Sequence, residues 1–576
     1  MTFSLSLHSQ TIQVGCDEQN CGGLCYQFTS PFGPEIFQQW DFGDGTSMSC
    51  YCSAVEHCYT NVNTYANING TTTVTLTVPG IGQWTANLTH ANCQQGIFIG
   101  NTDGSVSNLT DFTSLPGTSF TGSGLSNRVY VYGRVNVNKS FTFTSAQIAV
   151  SPGGGFNVFH HRVLSLLQST TVGVADECPC MWRGIDVYTL GVLRTGRAAL
   201  KDALYAVRPF SSSNISLNLT AFSDNYIGIM GIGDFIIPDG ANTFSANTFT
   251  TTSGLKGWCN PEVVADPFYP SGSQFFQQLG WAGVYLEDVN NFRVPATTAV
   301  VNTFDGLHNG IFMVNSNAQS VTGGQSQPGI RMCRFRNMLR GSYPVNLGGH
   351  GIYFLDNEGS HFLDQQGLGQ TLSGNPTFDG CEVGIYAESV GGAAGSTVTG
   401  RQNFMSTVET GIRIQSVKGN ITSTLTDNEI HSEVDYGHDP EGSAGIWLED
   451  KNTALTTHLV ENNRITVNQP VPKPGFGIIL RGNFDMIPDA NNVTIRNNPD
   501  ITIQAGRSCI HVTQYHLVDI HNNKYPECAA PVRGRAVWCV YGRGVPKLNP
   551  LQYYHRASGH RDFEPNNRCH AVQCLH

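Results

Sequence analysis

The chain has 576 residues, a net charge of −11 at pH 7, and only 13% Asp, Glu, Lys and Arg. Its acidity and the lack of a Lys/Arg cluster argue against a nucleic-acid partner, and no apolar run is long enough to span a bilayer. With 64 glycines and abundant Ser, Thr and Asn, the composition is that of strands and turns, in a chain too long for one ordinary globular core.

The opening Met1-Thr2-Phe3-Ser4-Leu5-Ser6-Leu7 lacks the basic start and apolar core of a secretory signal. The cysteines nevertheless point outside the cytosol. Of 17, Cys16, Cys21, Cys25, Cys50, Cys52, Cys58 and Cys93 crowd the first hundred residues. Cys178 and Cys180 lie close together, as do Cys569 and Cys574, with Cys528 and Cys539 somewhat further apart. Paired C-x₂-C knuckles are missing, which favours disulfides over zinc, and the expected location is extracellular, on a cell or virion surface.

Residues 1–79 read as a separate module. Trp40-Asp41-Phe42-Gly43-Asp44-Gly45-Thr46 is a turn in which Asp41 and Asp44 can hydrogen-bond local amides. Residues 73–78 then alternate in period two, as a half-buried strand does. Trp40 reads as a core anchor. With His57-Cys58-Tyr59, these motifs resemble a PKD domain, which implies an immunoglobulin-like sandwich serving as an extracellular spacer or adhesion module. Residues 80–124 are expected to connect this module to the repeats that begin near 125 and to cap their N-terminal end.

From 125 to 530 short apolar phrases recur, most opening with Gly: Gly184-Ile185-Asp186-Val187, Gly283-Val284-Tyr285-Leu286, Gly310-Ile311-Phe312-Met313, Gly351-Ile352-Tyr353-Phe354, Gly411-Ile412-Arg413-Ile414, Gly445-Ile446-Trp447-Leu448 and Gly477-Ile478-Ile479-Leu480. Steps run from about 22 to roughly 35 residues, with one of about 55. A second phrase sits between the later ones: Asn428-Glu429-Ile430, Asn463-Arg464-Ile465 and Asn498-Pro499-Asp500-Ile501. Two short phrases per period predict the coils of a right-handed parallel β-helix, in an all-β chain. Gly before Ile is expected to turn a corner, and Asn to adopt left-handed backbone and ladder with the Asn of the next coil. Ile185, Val207 and Ile229 should stack in one column. Residues 198–207 could pass for an amphipathic helix, but they fall in step with the rungs on either side and are read as strand. The long step near Trp258 is expected to span about a coil and a half. Residues 531–576 suit a disulfide-tied cap or tail. The pattern resembles the pectate-lyase-like β-helix repeat proteins, and its pairing with PKD is similar to secreted or surface proteins of Bacteroidota.

Three constellations are candidates for chemistry. Gly349-His350-Gly351 and Arg413-Ile414-Gln415 resemble part of the polygalacturonase set, but the acidic motifs that inverting hydrolysis requires are missing. Glu287-Asp288 and Glu449-Asp450 recur at rung ends and could serve a lyase, which needs carboxylates for Ca²⁺ and a base for the proton α to a uronate carboxyl. The densest polar loop holds His431, Glu433, Asp435, His438, Asp439 and Glu441. Within it Glu433, Asp435, His438 and Asp439 are the catalytic candidates, while His431 and Glu441, with Asp41 and Asp44, are candidate metal ligands. Tyr285, Tyr353, Tyr386 and Trp447 form a sugar-stacking stripe if they point outward and plain core if they point inward. No cofactor is required; Ca²⁺ is the one these acids would hold. The leading expectation is a non-catalytic adhesin or fibre protein binding polysaccharide on its flank. A polysaccharide lyase or glycoside hydrolase comes second, and a self-assembling structural subunit third.

Overall fold

A phrase such as Gly351-Ile352-Tyr353-Phe354 cannot bury its apolar side alone, so it is stable only against another copy of the same phrase. The computed structural model describes residues 12–16, 25–43, 45–58, 72–88, 97–100, 105–112, 114–115, 117–122, 128–174, 180–238, 243–258, 279–290, 292–294, 301–322, 325–341, 348–357, 359–364, 376–390, 395–434, 436, 442–451, 456–468, 475–482, 491–504, 506–513, 515, 517–526 and 532–535. The chain forms two compact units, Met1–Met230 with Thr251–Gly280 and Gly231–Thr250 with Trp281–His576.

The first unit opens with two antiparallel sheets. One joins Gln13–Cys16, Cys25–Thr29 and Ala54–Cys58; the other joins Ser47–Cys50, Gln38–Asp41, Thr72–Val78 and Gly82–Leu88. The strict alternation of 73–78 puts Val74, Leu76 and Val78 into a core with Phe28, Trp40, Phe42 and Val55. Trp40 is the expected anchor, and Asp41 Oδ1 accepts the Gly43 amide across the turn. The boundary expected at 79 falls inside the hairpin that Gly82–Leu88 completes. Tyr130 and Tyr132, on the first coils, pack against this same core.

The parallel ladder of the first unit already includes Ile97–Gly100 and Ser107–Asn108, ahead of the expected start at 125. Ile185 pairs with Val207 and Val207 with Ile229, so the expected column exists. Residues 198–207 are strand, as Ala199–Lys201 and Ala203–Pro209. Both units are stacks of parallel β-helix coils.

A full coil has three strands, which corrects the two-phrase reading. In the second unit Phe404–Val408 (face I), Thr410–Ser416 (face II) and Ile421–Thr426 (face III) are followed one coil later by Glu429–Ser432, Ser443–Asp450 and Thr456–Glu461, in parallel register. Face III escaped notice because a strand such as Ile421-Thr422-Ser423-Thr424-Leu425-Thr426 has no fixed opening residue. Among the described residues, the long step near Trp258 holds the short strands Phe244–Ser245 and Thr248–Thr250. Val532–Arg535 still pairs on face II, within the segment expected to be a cap.

Glycine opens the face II phrases for a different reason than expected. A Cβ on Gly351 would lie 2.4 Å from Phe378 and 2.7 Å from the Gly384 carbonyl oxygen. The Phe304, Phe335 and Phe378 rings stack inside face I at 4.9 Å, and the glycines let face II close onto that column. The Asn phrase divides its two expected roles between neighbours. Asp427, Asn462, Asn497 and Asn522 take the left-handed backbone, with φ of 57–58°. The next residues, Asn428, Asn463, Asn498 and Asn523, run as a hydrogen-bonded ladder: the backbone and side-chain amides of each donate to the Oδ1 of the following one.

Among the described cysteines, Cys50 bonds Cys52, Cys180 and Cys509 are disulfide-bonded, and Cys333 and Cys381 are buried free thiols. Cys25 lies opposite Cys58 in register, and Cys16 is on the neighbouring strand. Cys21, Cys93, Cys178, Cys528, Cys539, Cys569 and Cys574 lie outside the described residues.

Candidate recognition face

Face II of the first unit turns alternate side chains outward. The register aligns Asn108, Asn136, Asn157, Asp186 and Arg208 in one column. Asn157 Nδ2 donates to Asn136 Oδ1 at 2.8 Å and Asn136 Nδ2 to Asn108 Oδ1 at 3.2 Å. Two residues further along lie Phe159, Tyr188 and Phe210. Their spacing is set by the ladder itself, because the Tyr188 amide donates to the Val158 carbonyl and the Phe210 amide to that of Val187. The rings stack at 5.2 and 5.0 Å with planes within 7°. Phe159 is 37% exposed, and Tyr188 and Phe210 are half-buried. Leu190, two residues past Tyr188, holds φ +57° with its side chain 41% exposed, a costly backbone for a bulky residue.

Beside this aromatic ladder three guanidinium groups converge on one buried carboxylate. Arg134 Nη2 and Arg208 Nη2 both lie 2.8 Å from Asp186 Oδ2, and Arg183 Nε lies 3.7 Å from it. Arg134 also donates to Asn157, and the Arg208 guanidinium covers the Phe210 ring at 4.9 Å. Burial pulls the Arg183 guanidinium below its usual range; Asp186 opposes that pull, and Arg208 and Arg134 add to it. Sequence reasoning missed this face. Its outward residues are spread over five coils, and only the register brings them together.

The sequence-derived sugar stripe is placed differently from that expectation. Tyr353, Tyr386, Arg413 and Trp447 do share one column on face II of the second unit. Trp447 packs with Ala444, Phe476 and Ile479 in an apolar cluster of its own. Yet Tyr285, Tyr353, Tyr386 and Trp447 are buried, so the open stacking stripe is corrected to a second apolar layer. Its tyrosine hydroxyls are paired: Tyr285 with Glu287, Tyr353 with Glu388, Tyr386 with Gln415. Arg413 lies over both Tyr386 and Trp447, and Glu449 sits 3.1 Å from Lys451. His350 lies within a strand, its Nδ1 3.0 Å from Asn309 Oδ1.

Asp450 is inside. It takes hydrogen bonds from Thr456 and Tyr515 and lies 3.2 Å from His458, whose other ring nitrogen meets Ser423 Oγ at 2.8 Å. That chain resembles a nucleophile's support in composition only, since all its members are buried away from any substrate. Asp288 is an exposed left-handed corner residue. His431 lies 3.1 Å from Glu429 and 3.9 Å from Glu433. Asp44, Asp435, His438, Asp439 and Glu441 lie outside the described residues. Among the described residues no three His, Cys, Asp or Glu side chains converge as metal ligands.

No protein-family model matches the chain, and no curated protein matches it. Among solved structures it is similar to a family 28 exopolygalacturonase of Yersinia enterocolitica, at 9% identity over 93% of this chain and 100% of that one, with a TM-score of 0.16. A likeness that slight carries no argument about activity.

Proposed function

We propose that this is a non-catalytic, extracellular surface protein of the adhesin or fibre type, which binds polysaccharide on the outer side of face II in its first unit. In this reading the N-terminal two-sheet module is a PKD-like spacer. The observation that carries the reading is the solvent-facing Phe159–Tyr188–Phe210 ladder, Phe159 exposed and the other two half-buried, running beside a column of amides and guanidinium groups. Coils repeat every 4.7–4.9 Å, about the length of one sugar residue. A polymer laid along the coils therefore meets the same kind of group at each step. Ring faces and edges stack on sugar C–H surfaces, while amide and guanidinium donors take the hydroxyls. Glycosidic hydrolysis needs two carboxyl groups flanking the bond. The Arg cluster holds one, Asp186, and it is tied up by three arginines, which favours binding without turnover.

Affinity electrophoresis of the full chain through gels containing single polysaccharides tests this. At least one polymer should retard the protein, and Phe159→Ala with Tyr188→Ala and Phe210→Ala should weaken retention by about 3–10-fold per ring. Retention by no polymer, or unchanged retention of the triple variant, would refute it.

A further inference from the structure

The outer side of face II in the first unit carries a charge imbalance that its own hydrogen bonds leave open. Asp186 is the one carboxylate among the groups that act electrostatically on Arg183; the others are Arg208, Arg134 and Tyr188. Three guanidinium groups share it, leaving two positive charges in excess within a chain whose net charge is −11. Arg134 Nε and Arg183 Nε make no hydrogen bond, Arg183 Nε lying 3.7 Å from Asp186 Oδ2. Asp186 itself is nearly spent, with Oδ1 held by Arg208 Nε at 2.9 Å and Oδ2 by Arg134 and Arg208 Nη2 at 2.8 Å. The guanidinium side chains remain 15–26% exposed. A second anion arriving from solvent would meet planar forked donors already held in place, the arrangement best suited to a carboxylate or sulfate. The cluster also adjoins the rings, because Arg208 covers Phe210.

We infer that Arg134, Arg183 and Arg208 form an anion subsite, and that the polymer taken by the aromatic ladder is acidic, bearing carboxylate or sulfate groups. This rests on the polysaccharide-binding reading above, and the test separates the two. Polyuronate is compared with its methyl ester, and sulfated dextran with dextran, each by affinity electrophoresis at two salt concentrations. The charged member of one pair should bind at least 10-fold more tightly than its neutral counterpart, with the advantage shrinking at high salt; the pair that shows it identifies the acid group. Arg183→Gln removes the guanidinium furthest from Asp186 and so disturbs packing least; it should reduce that advantage about 3–10-fold, weakening the charged polymer more than its neutral counterpart. Asp186→Asn should act in the opposite direction and tighten acidic binding. Equal affinity for charged and neutral members, or indifference to both substitutions, would overturn the anion subsite while leaving the polysaccharide reading intact. Absence of binding to all four polymers would overturn both.

Discussion

The asparagine ladder of the second unit invites a quantitative test at Asn463. Its Oδ1 accepts both the backbone and side-chain amides of Asn428, at 3.0 and 2.9 Å. Its own Nδ2 donates to the Leu425 carbonyl at 2.9 Å, to the Glu461 carbonyl at 3.1 Å and to Asn498 Oδ1 at 3.2 Å. Asn463→Ala removes all five at once, at a fully buried position. The Asn428 backbone N–H is left without its acceptor, which costs about 1–3 kcal/mol for a buried donor. The side-chain amide of Asn428 keeps its bond to the Gly400 carbonyl, so the remaining losses are ordinary ones of about 1 kcal/mol each. A total of roughly 5–7 kcal/mol results, concentrated in the adjoining coils because each coil touches only its neighbours. Hydrogen exchange read by mass spectrometry suits such a local effect better than a melting temperature. Amides of Glu429–Ser432 and Arg464–Val467 should exchange about 100-fold faster or more. The control is Asn462→Gly, at an exposed left-handed position where glycine is at ease. If Asn463→Ala costs less than about 1 kcal/mol, or no more than this control, the ladder does not hold the coils together.

Other perturbations give further expected outcomes. Gly351→Ala places a methyl 2.4 Å from Phe378 and should destabilise the second unit by about 1–3 kcal/mol, measured by urea denaturation; a neutral result would contradict the close-approach account. Burial lowers the pKa of His361 to about 3. The unfolded chain therefore takes up a proton near pH 6.5 that the folded one refuses. Stability should be full above that value and fall by about 1.4 kcal/mol per pH unit below it, toward pH 3, and His361→Phe should flatten this slope in denaturation curves run from about pH 7 to 4. Burial also raises the Cys381 thiol to about 12 and pushes Cys333 up as well, so neither should be alkylated by iodoacetamide until the protein unfolds; labelling of both under native conditions would show that the core is not closed there.

Much of the fold is legible because a stacked coil must repeat its apolar phrases. The Gly-Ile phrases, the Asn ladder, the strand character of 198–207 and the burial of Trp40 all follow from local pattern. Face III is not legible, because its Thr and Ser alternate like any half-buried strand and announce no start. The reason for the glycines is hidden too, since the Phe378 that excludes a Cβ at Gly351 lies 27 residues away along the chain. The same difficulty affects the site. Tyr353 and Trp447 share a column, as their matching positions in the phrase imply, but their burial depends on what packs over them. Phe159, Tyr188 and Phe210 sit just beyond their strand phrases and carry no motif. Asp186 reads as one more rung residue until the register surrounds it with Arg134, Arg183 and Arg208.

The central claim is that polysaccharide lies along the outer face of the first unit. Hydroxyl-radical footprinting of the full chain, with and without a retained polymer, tests it most directly. Oxidation of Phe159, Tyr188 and Phe210 should fall several-fold on binding, while exposed Tyr51 and Met48 of the N-terminal module stay as reactive as before. Protection at Tyr51 and Met48, with the three rings unchanged, would contradict the account.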